Sequence, residues 1–500
     1  MYNLNINSMQ KNSNLEALFD KYREGIVGRN SKFTSPYGEK SIVYADWIAS
    51  GRMYEPIEKI FQEIINPLVA NTHTETNHTG TSMTNAYKKA RHIIKNHVNA
   101  DAEDILICAA SGMTGVVNKF QRILGLKIHE KYTNNVRLSE EDRPIVFITH
   151  MEHHSNQTSW NETLGDVAII PPNEQGLVDL EAFKKQLLKY SHRKIKIAAI
   201  TSCSNVTGIK TPYYEIAQIM HQNDGVCFVD FACSAPYIEI DMHPKDFPNG
   251  DLDAIYFSPH KFLGGPGSPG ILVFNRKLYT NRIPDDPGGG TVDYTNPWGE
   301  SVYHESIEDR EDGGTPAFLQ TIRTALCIKL KEEMGVKNIL EREKELNTYV
   351  FSRFKAIENI HLFAEHIDDR LGVFSFFIEN AHFNLVVKLL NDIHGVQVRG
   401  GCSCAGTYGH YLFEISMNTS HEIRQKIVNG DLSQKPGWIR LSVHPTMSNE
   451  EIKFIMDAIE DVANNFSEYA IDYDYDVRKN EFFHKNEKSI DKEIDSWFDF

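Results

Sequence analysis

The sequence predicts an α/β protein: a large domain on a mostly parallel seven-stranded sheet, followed by a smaller α+β C-terminal domain. Three observations predict it. Seven short runs rich in β-branched residues lie within residues 104–274, and they are apolar throughout rather than alternating, as strands covered on both faces are. Helical patterns such as DLEAFKKQLLKYSHRK and PYYEIAQIMHQNDG separate them, as parallel pairing requires. From about residue 320 the rhythm changes to long helix and then isolated strands.

The seven runs are DILICAA (104–110), PIVFITH (144–150), DVAIIP (166–171), KIKIAAITS (194–202), GVCFVDF (225–231), LDAIYFS (252–258) and GILVF (270–274). Beyond them, FLQTIRTALCIKLKEEMGVKNILEREKELNTYVFSRF reads as long helix broken at Gly335. LGVFSFFIE and WIRLSVHPT read as strands of the smaller unit. The expected division is an N-terminal arm over 1–40, a large domain over 41–320, a small domain over 321–470 and a tail over 471–500. The tail mixes acids with aromatics (IDYDYDV, SWFDF), reads as a peripheral cover, and is assigned no chemistry.

Hydrophobic residues at 41% and charged residues at 24% exclude global disorder. A formal net charge of −16 argues against a nucleic-acid binder or a partner of anionic membranes. No apolar run is long enough to span a bilayer. The N-terminus, MYNLNINSMQKNSNLEALF, lacks the apolar core of a signal peptide, so a cytoplasmic protein is expected. Of the seven cysteines, Cys108, Cys203, Cys227 and Cys327 sit in apolar runs and read as small core residues.

In sheets of this kind ligands collect at the carboxyl ends of the strands. The first run ends in AASGMTGVVNKF, where backbone N–H groups around Gly112 and the hydroxyl of Thr114 can face a phosphate. The second ends in MEHHSNQTSW, with His153 and His154 adjacent. The fourth ends in TSCSNVTG and places Asn205 at the same edge, the fifth ends at Asp230, and the sixth leads into Ser258, His260 and Lys261. Each alone has a plainer reading: a connecting turn, a structural histidine, a helix cap. Lys261, however, stands between an apolar strand and the glycine-rich FLGGPGSPG, where an ammonium is costly unless its charge is neutralised or used. One cofactor uses all these parts together. Pyridoxal 5'-phosphate needs a lysine for a Schiff base, an acid for its ring nitrogen, phosphate donors and something flat against the ring.

The pieces ASGMTGVVN, MEHHSNQTSW, TSCSNVTG, VDFACSAP, SPHKFLGG, GGTP, VRGGCSCAG and WIRLSVHPT run in family order from about residue 44 to 450. Together they resemble the class V aminotransferase superfamily of fold-type I pyridoxal phosphate enzymes, most closely its cysteine desulfurase and selenocysteine lyase branch. The resemblance implies that Lys261 forms the Schiff base, Asp230 pairs with the ring nitrogen and His153 stacks on the ring. It implies that Asn205 contacts the phenolic oxygen, and that Thr114, Ser258 and His260 hold the phosphate with N–H groups near Gly112. Thr315 in DGGTP resembles a residue that reaches the phosphate of a neighbouring subunit, which implies a homodimer.

At the substrate end, Arg440 in GWIRLSVHP matches the family's clamp for an α-carboxylate. Arg399 in QVRGGCSC is a second candidate. Cys404 falls where desulfurases carry a nucleophilic cysteine, two residues after Cys402. The C-x-C pair also reads as a metal half-site, though no second cysteine pair completes four ligands, or as two inert residues in a glycine-rich loop. Two positions depart from the desulfurase pattern: Cys233 stands where that branch has glutamine, and Met113 where a hydroxyl residue is usual.

The expected function is cleavage of the C–S or C–Se bond of an amino acid to give alanine, with a sulfur acceptor protein as partner and no metal. The alternatives are a class V aminotransferase or another pyridoxal phosphate elimination, each leaving Cys404 idle, and a binding protein that kept the fold but lost activity. A dinucleotide site is disfavoured, since no predicted strand is followed by G-x-G-x-x-G opening a helix.

Overall fold

The computed structural model describes residues 13–72, 74–109 and 112–499. Its centre is a seven-stranded sheet of β1 (Asp104–Ala109), β2 (Ile145–Thr149), β3 (Asp166–Ile170), β4 (Lys196–Thr201), β5 (Val226–Asp230), β6 (Ala254–Phe257) and β7 (Gly270–Asn275). The strand order is β1-β7-β6-β5-β4-β2-β3. Pairing is parallel from β6 through β5, β4 and β2 to β3, and only β7 runs against its neighbours β1 and β6. The carboxyl ends of the other six strands therefore share one edge.

The continuous apolar runs have a direct cause. Along β1, Ile105 and Ile107 enter one hydrophobic cluster while Leu106 and Cys108 enter the other. Successive side chains of a strand point to opposite faces, and both faces here are covered, so neither set can be polar. Helix α2 (Met113–Ile123) packs on one of these faces, burying Val116, Val117 and Phe120.

The long helical stretch forms α4 (Phe318–Met334) and α5 (Val336–Phe354), after α1 (Ser13–Glu24) and α3 (His154–Asn161) earlier in the chain. Gly335 separates α4 from α5 at φ +80°, a conformation L side chains rarely adopt. The second sheet has the order β8 (Ile360–Leu362), β9 (Val373–Ile378), β11 (Trp438–Ser442), β10 (Arg399–Gly401), antiparallel throughout.

The segment near residue 43 leans on this second sheet rather than the first. Val43–Tyr44 pairs in parallel with Val396–Gln397, and the Ser442 N–H donates to the Ala45 carbonyl at 2.8 Å. In the tail, β12 (Tyr473–Asp476) and β13 (Glu481–His484) form a hairpin, whose Tyr473 hydroxyl donates to the buried Asp392 at 2.9 Å. Among the described residues, no helix is long and apolar enough to cross a membrane.

Candidate active site

The strand ends deliver the side chains. After β2, Glu152 turns back into the protein. Its carboxylate accepts from the N–H and hydroxyl of Thr149, from the Thr201 N–H at 2.9 Å and from Asn156 Nδ2, all buried. It thereby ties the end of β2 to that of β4, and burial pushes its pKa up to about 7. The next residue, His153, opens α3: its Nδ1 accepts from the Ser155 N–H at 3.1 Å. Burial, then the neighbouring Lys261 charge, pushes His153 down to about 3, so its ring is neutral at physiological pH.

Asp230 is the last residue of β5. The Ala232 N–H donates to its Oδ1 at 2.8 Å, and burial pushes its carboxyl up to about 6 against the pull of Lys261. Lys261 closes a short 3-10 turn just beyond β6. Burial lowers its pKa, and Cys233 and then Asp230 oppose that shift. Asn205, beyond β4, donates from Nδ2 to the Ser403 carbonyl at 2.7 Å, while its Oδ1 is buried without a partner among the described residues.

A polar cradle lies at the N-terminus of α2. Gly112 precedes it at φ +77°, and a Cβ there would stand 3.3 Å from the Ser258 hydroxyl. That hydroxyl accepts from the Met113 N–H at 2.8 Å, and the Thr114 and Ser155 hydroxyls are 2.6 Å apart. His260 faces the same space, neutral because burial and then Lys261 push its pKa down to about 4. A helix start flanked by hydroxyls suits an anion.

The second sheet closes the opposite side. Arg399 on β10 stands directly opposite Arg440 on β11. Arg440 Nη1 donates to the Asn205 carbonyl at 3.2 Å, and Nη2 donates to Asp46 at 2.7 Å. Just past β10, Ser403 and Cys404 both adopt the left-handed region, at φ +50° and +55°. Trp438 Nε1 donates to the Ser403 hydroxyl at 3.2 Å. Cys404 is exposed.

Twelve of the thirteen residues expected at the site line one cavity of about 200 Å³: Gly112, Thr114, His153, Asn205, Asp230, Cys233, Ser258, His260, Lys261, Arg399, Cys404 and Arg440. Thr315 is exposed on the loop before α4 and is not in that lining. A larger cleft of about 630 Å³, between the second sheet and the tail hairpin, takes Cys402 but none of the strand-end residues. Size is therefore a poor guide to the chemistry here, and convergence of polar groups is the better one.

Sequence reasoning passed over three residues. Asp46 pairs with both arginines, Glu152 braces two strand ends, and His154 holds the Cys404 segment. Of these only His154 had a signal, as the second of an adjacent histidine pair.

The protein family described as Aminotransferase class-V matches residues 43–455, a span that holds all thirteen positions. A probable cysteine desulfurase of Staphylococcus aureus is 28% identical over 370 residues, 73% of this chain and 84% of that protein. One from Halalkalibacterium halodurans is also 28% identical, over 369 residues, 73% of this chain and 84% of its own length. Among solved structures, the apo cysteine desulfurase of Thermococcus onnurineus is similar at TM-score 0.70 and 20% identity, covering 89% of this chain and 98% of that one. A cysteine desulfurase of Escherichia coli gives 0.68 at 18% identity, covering 90% and 98%. These likenesses show the fold.

Proposed function

From the chain's membership of the aminotransferase class-V family, we propose that it is a pyridoxal phosphate-dependent enzyme that cleaves the C–S or C–Se bond of an amino acid and leaves alanine. The observation that carries the reading is that neighbouring parallel strands deliver Asp230 and Lys261 into one cavity with an anion cradle at its end.

The cavity fits the cofactor on independent grounds. A carboxyl that burial pushes up to about 6 is suited to pairing with a protonated ring nitrogen. The buried Asn205 Oδ1, unpartnered among the described residues, is an acceptor suited to a phenolic O–H. The α2 N-terminus with Thr114, Ser258 and His260 is suited to a phosphate, and neutral His153 to a ring face.

Pyridoxal phosphate, when bound, supplies an electron sink and a covalent attachment for an amine. Lys261 is placed to take a proton from the substrate Cα on Nζ and to return it, because burial keeps its amine closer to neutral than an exposed lysine's. Asp230 holds the proton on the ring nitrogen. Arg440, with Arg399 beside it, binds the α-carboxylate. The Cys404 thiolate then takes the substrate sulfur. A S–S bond forms as the Cβ–S bond breaks, and the electron pair left on Cβ takes up a proton, giving alanine and a Cys404 persulfide. A sulfur acceptor, a small thiol or a protein, removes that sulfur. Thr315, exposed on the single chain, serves the phosphate of a second copy in a homodimer.

Transamination is the second reading. It is favoured by how firmly the Cys404 segment is fastened, with Ser403 to Asn205 and Cys404 to His154, which restricts travel of the thiol. Product analysis separates the two. Cofactor-loaded protein given cysteine is expected to yield alanine and sulfide in the presence of a thiol. Amino transfer to a 2-oxo acid, or a visible spectrum that no amino acid changes, contradicts the lyase reading.

A further inference from the structure

Arg399 and Arg440 are opposed cross-strand partners, a placement in which like charges repel. Arg440 is also only 3% exposed, so the pair is costly unless an anion holds it. Asp46 is that anion. Its Oδ1 accepts from Arg440 Nη2 at 2.7 Å and its Oδ2 from Arg399 Nε at 3.1 Å. The backbone that carries it is fixed on both sides: the Ser442 N–H donates to the Ala45 carbonyl, and the Tyr44 hydroxyl donates to the Asp46 carbonyl at 3.1 Å. Both arginines line the cavity, whereas Asp46 stands behind them. Arg440 Nε is buried with no partner among the described residues.

We propose that Asp46 is a positioning residue that sets the specificity of the clamp for amino acids bearing a single carboxylate. The proposal rests on the amino-acid reading above and deepens it. Two guanidinium charges less one carboxylate leave the clamp with one positive charge. One α-carboxylate neutralises that charge. A substrate with a second acid on its side chain brings an extra negative charge close to the Asp46 carboxylate, whose side chain is only 13% exposed. Asp46 thus acts through the arginines. It opposes dicarboxylic amino acids and keeps both forks aligned for monocarboxylic ones.

The test is calorimetric binding of L-alanine (one carboxylate) and L-aspartate (two) to the cofactor-loaded wild type and to Asp46→Asn, Asp46→Glu and Arg399→Gln. Asp46→Asn is expected to shift the affinity ratio toward aspartate by about tenfold or more, the effect of one unscreened charge at short range. Asp46→Glu keeps the charge and is expected to retain the wild-type ratio. Arg399→Gln removes one positive charge from the clamp and is expected to shift the ratio the other way. A ratio unmoved by Asp46→Asn and Arg399→Gln, or an equal loss for both ligands, is what a merely structural ion pair gives, and it overturns the role of Asp46 alone. Failure of the wild type to bind either ligand instead overturns the amino-acid reading.

Discussion

The backbone N–H of His154 donates to the carbonyl of Cys404 at 2.7 Å, across 250 residues of sequence. The same histidine accepts from the Gly406 N–H through Nε2 at 2.9 Å. One residue at the start of α3 thus holds both sides of a turn in which Ser403 and Cys404 are left-handed, a conformation that costs about 1–2 kcal/mol per non-glycine residue. The thiol is presented by a strained segment that its neighbours hold in place.

Replacing His154 with alanine removes the Nε2 acceptor and keeps the backbone bond. The expected loss is about 1 kcal/mol of local stability, seen as faster amide exchange over residues 403–406. The absorbance of bound cofactor should be retained. Unchanged exchange there contradicts the bracing role.

Cys404→Ser keeps the size and hydrogen bonding of the side chain but removes the nucleophile. Persulfide formation from cysteine is expected to vanish, with the cofactor spectrum intact. Persulfide mapped to Cys402, or desulfurase turnover that survives, shows that Cys404 does not carry the sulfur.

Asp230 gives a pH prediction for the cofactor-free protein. Burial raises its folded-state pKa to about 6, above the unfolded value of about 3.9. The folded state therefore binds this proton more tightly, and the stability it contributes is present below about pH 4 and lost as pH rises through 6. Asp230→Asn mimics the neutral acid. It should match wild type near pH 4 and be more stable by roughly 2–3 kcal/mol at pH 7.5, measured by denaturant unfolding. The same variant should lose most activity once the cofactor is loaded. Equal stability at both pH values contradicts the burial of this carboxyl.

Arg440→Lys keeps the charge and loses the fork. The expected result is a rise in KM for cysteine of about 10- to 100-fold, the loss of 1.4–2.7 kcal/mol of carboxylate binding, with a smaller change in kcat. An unchanged KM contradicts the clamp.

Much of this arrangement was legible in the sequence, for physical reasons. A strand buried on both faces must be apolar at every position, so the runs announced the seven strands nearly to their ends: GILVF was read over 270–274, and β7 spans Gly270–Asn275. Gly335 marked the break between α4 and α5 because its backbone angle favours glycine. Asp230 and Lys261 stood out as ionisable groups adjoining apolar strands. Asp46 did not, because its partners lie 353 and 394 residues away and nothing local records them. The Val43–Tyr44 strand is too short for a period to show, and the alternating YDYD of β12 becomes intelligible only when Tyr473 meets Asp392. Thr315 has its proposed role on a second copy, so one chain holds only half of that relationship.

The central claim is that Lys261 is the residue that carries the cofactor. Incubation with pyridoxal phosphate, reduction with borohydride and peptide mass analysis test it in one measurement. The expected result is a single stable pyridoxyl phosphate adduct on Lys261, absent from Lys261→Ala. No adduct, or one confined to exposed lysines elsewhere, contradicts it.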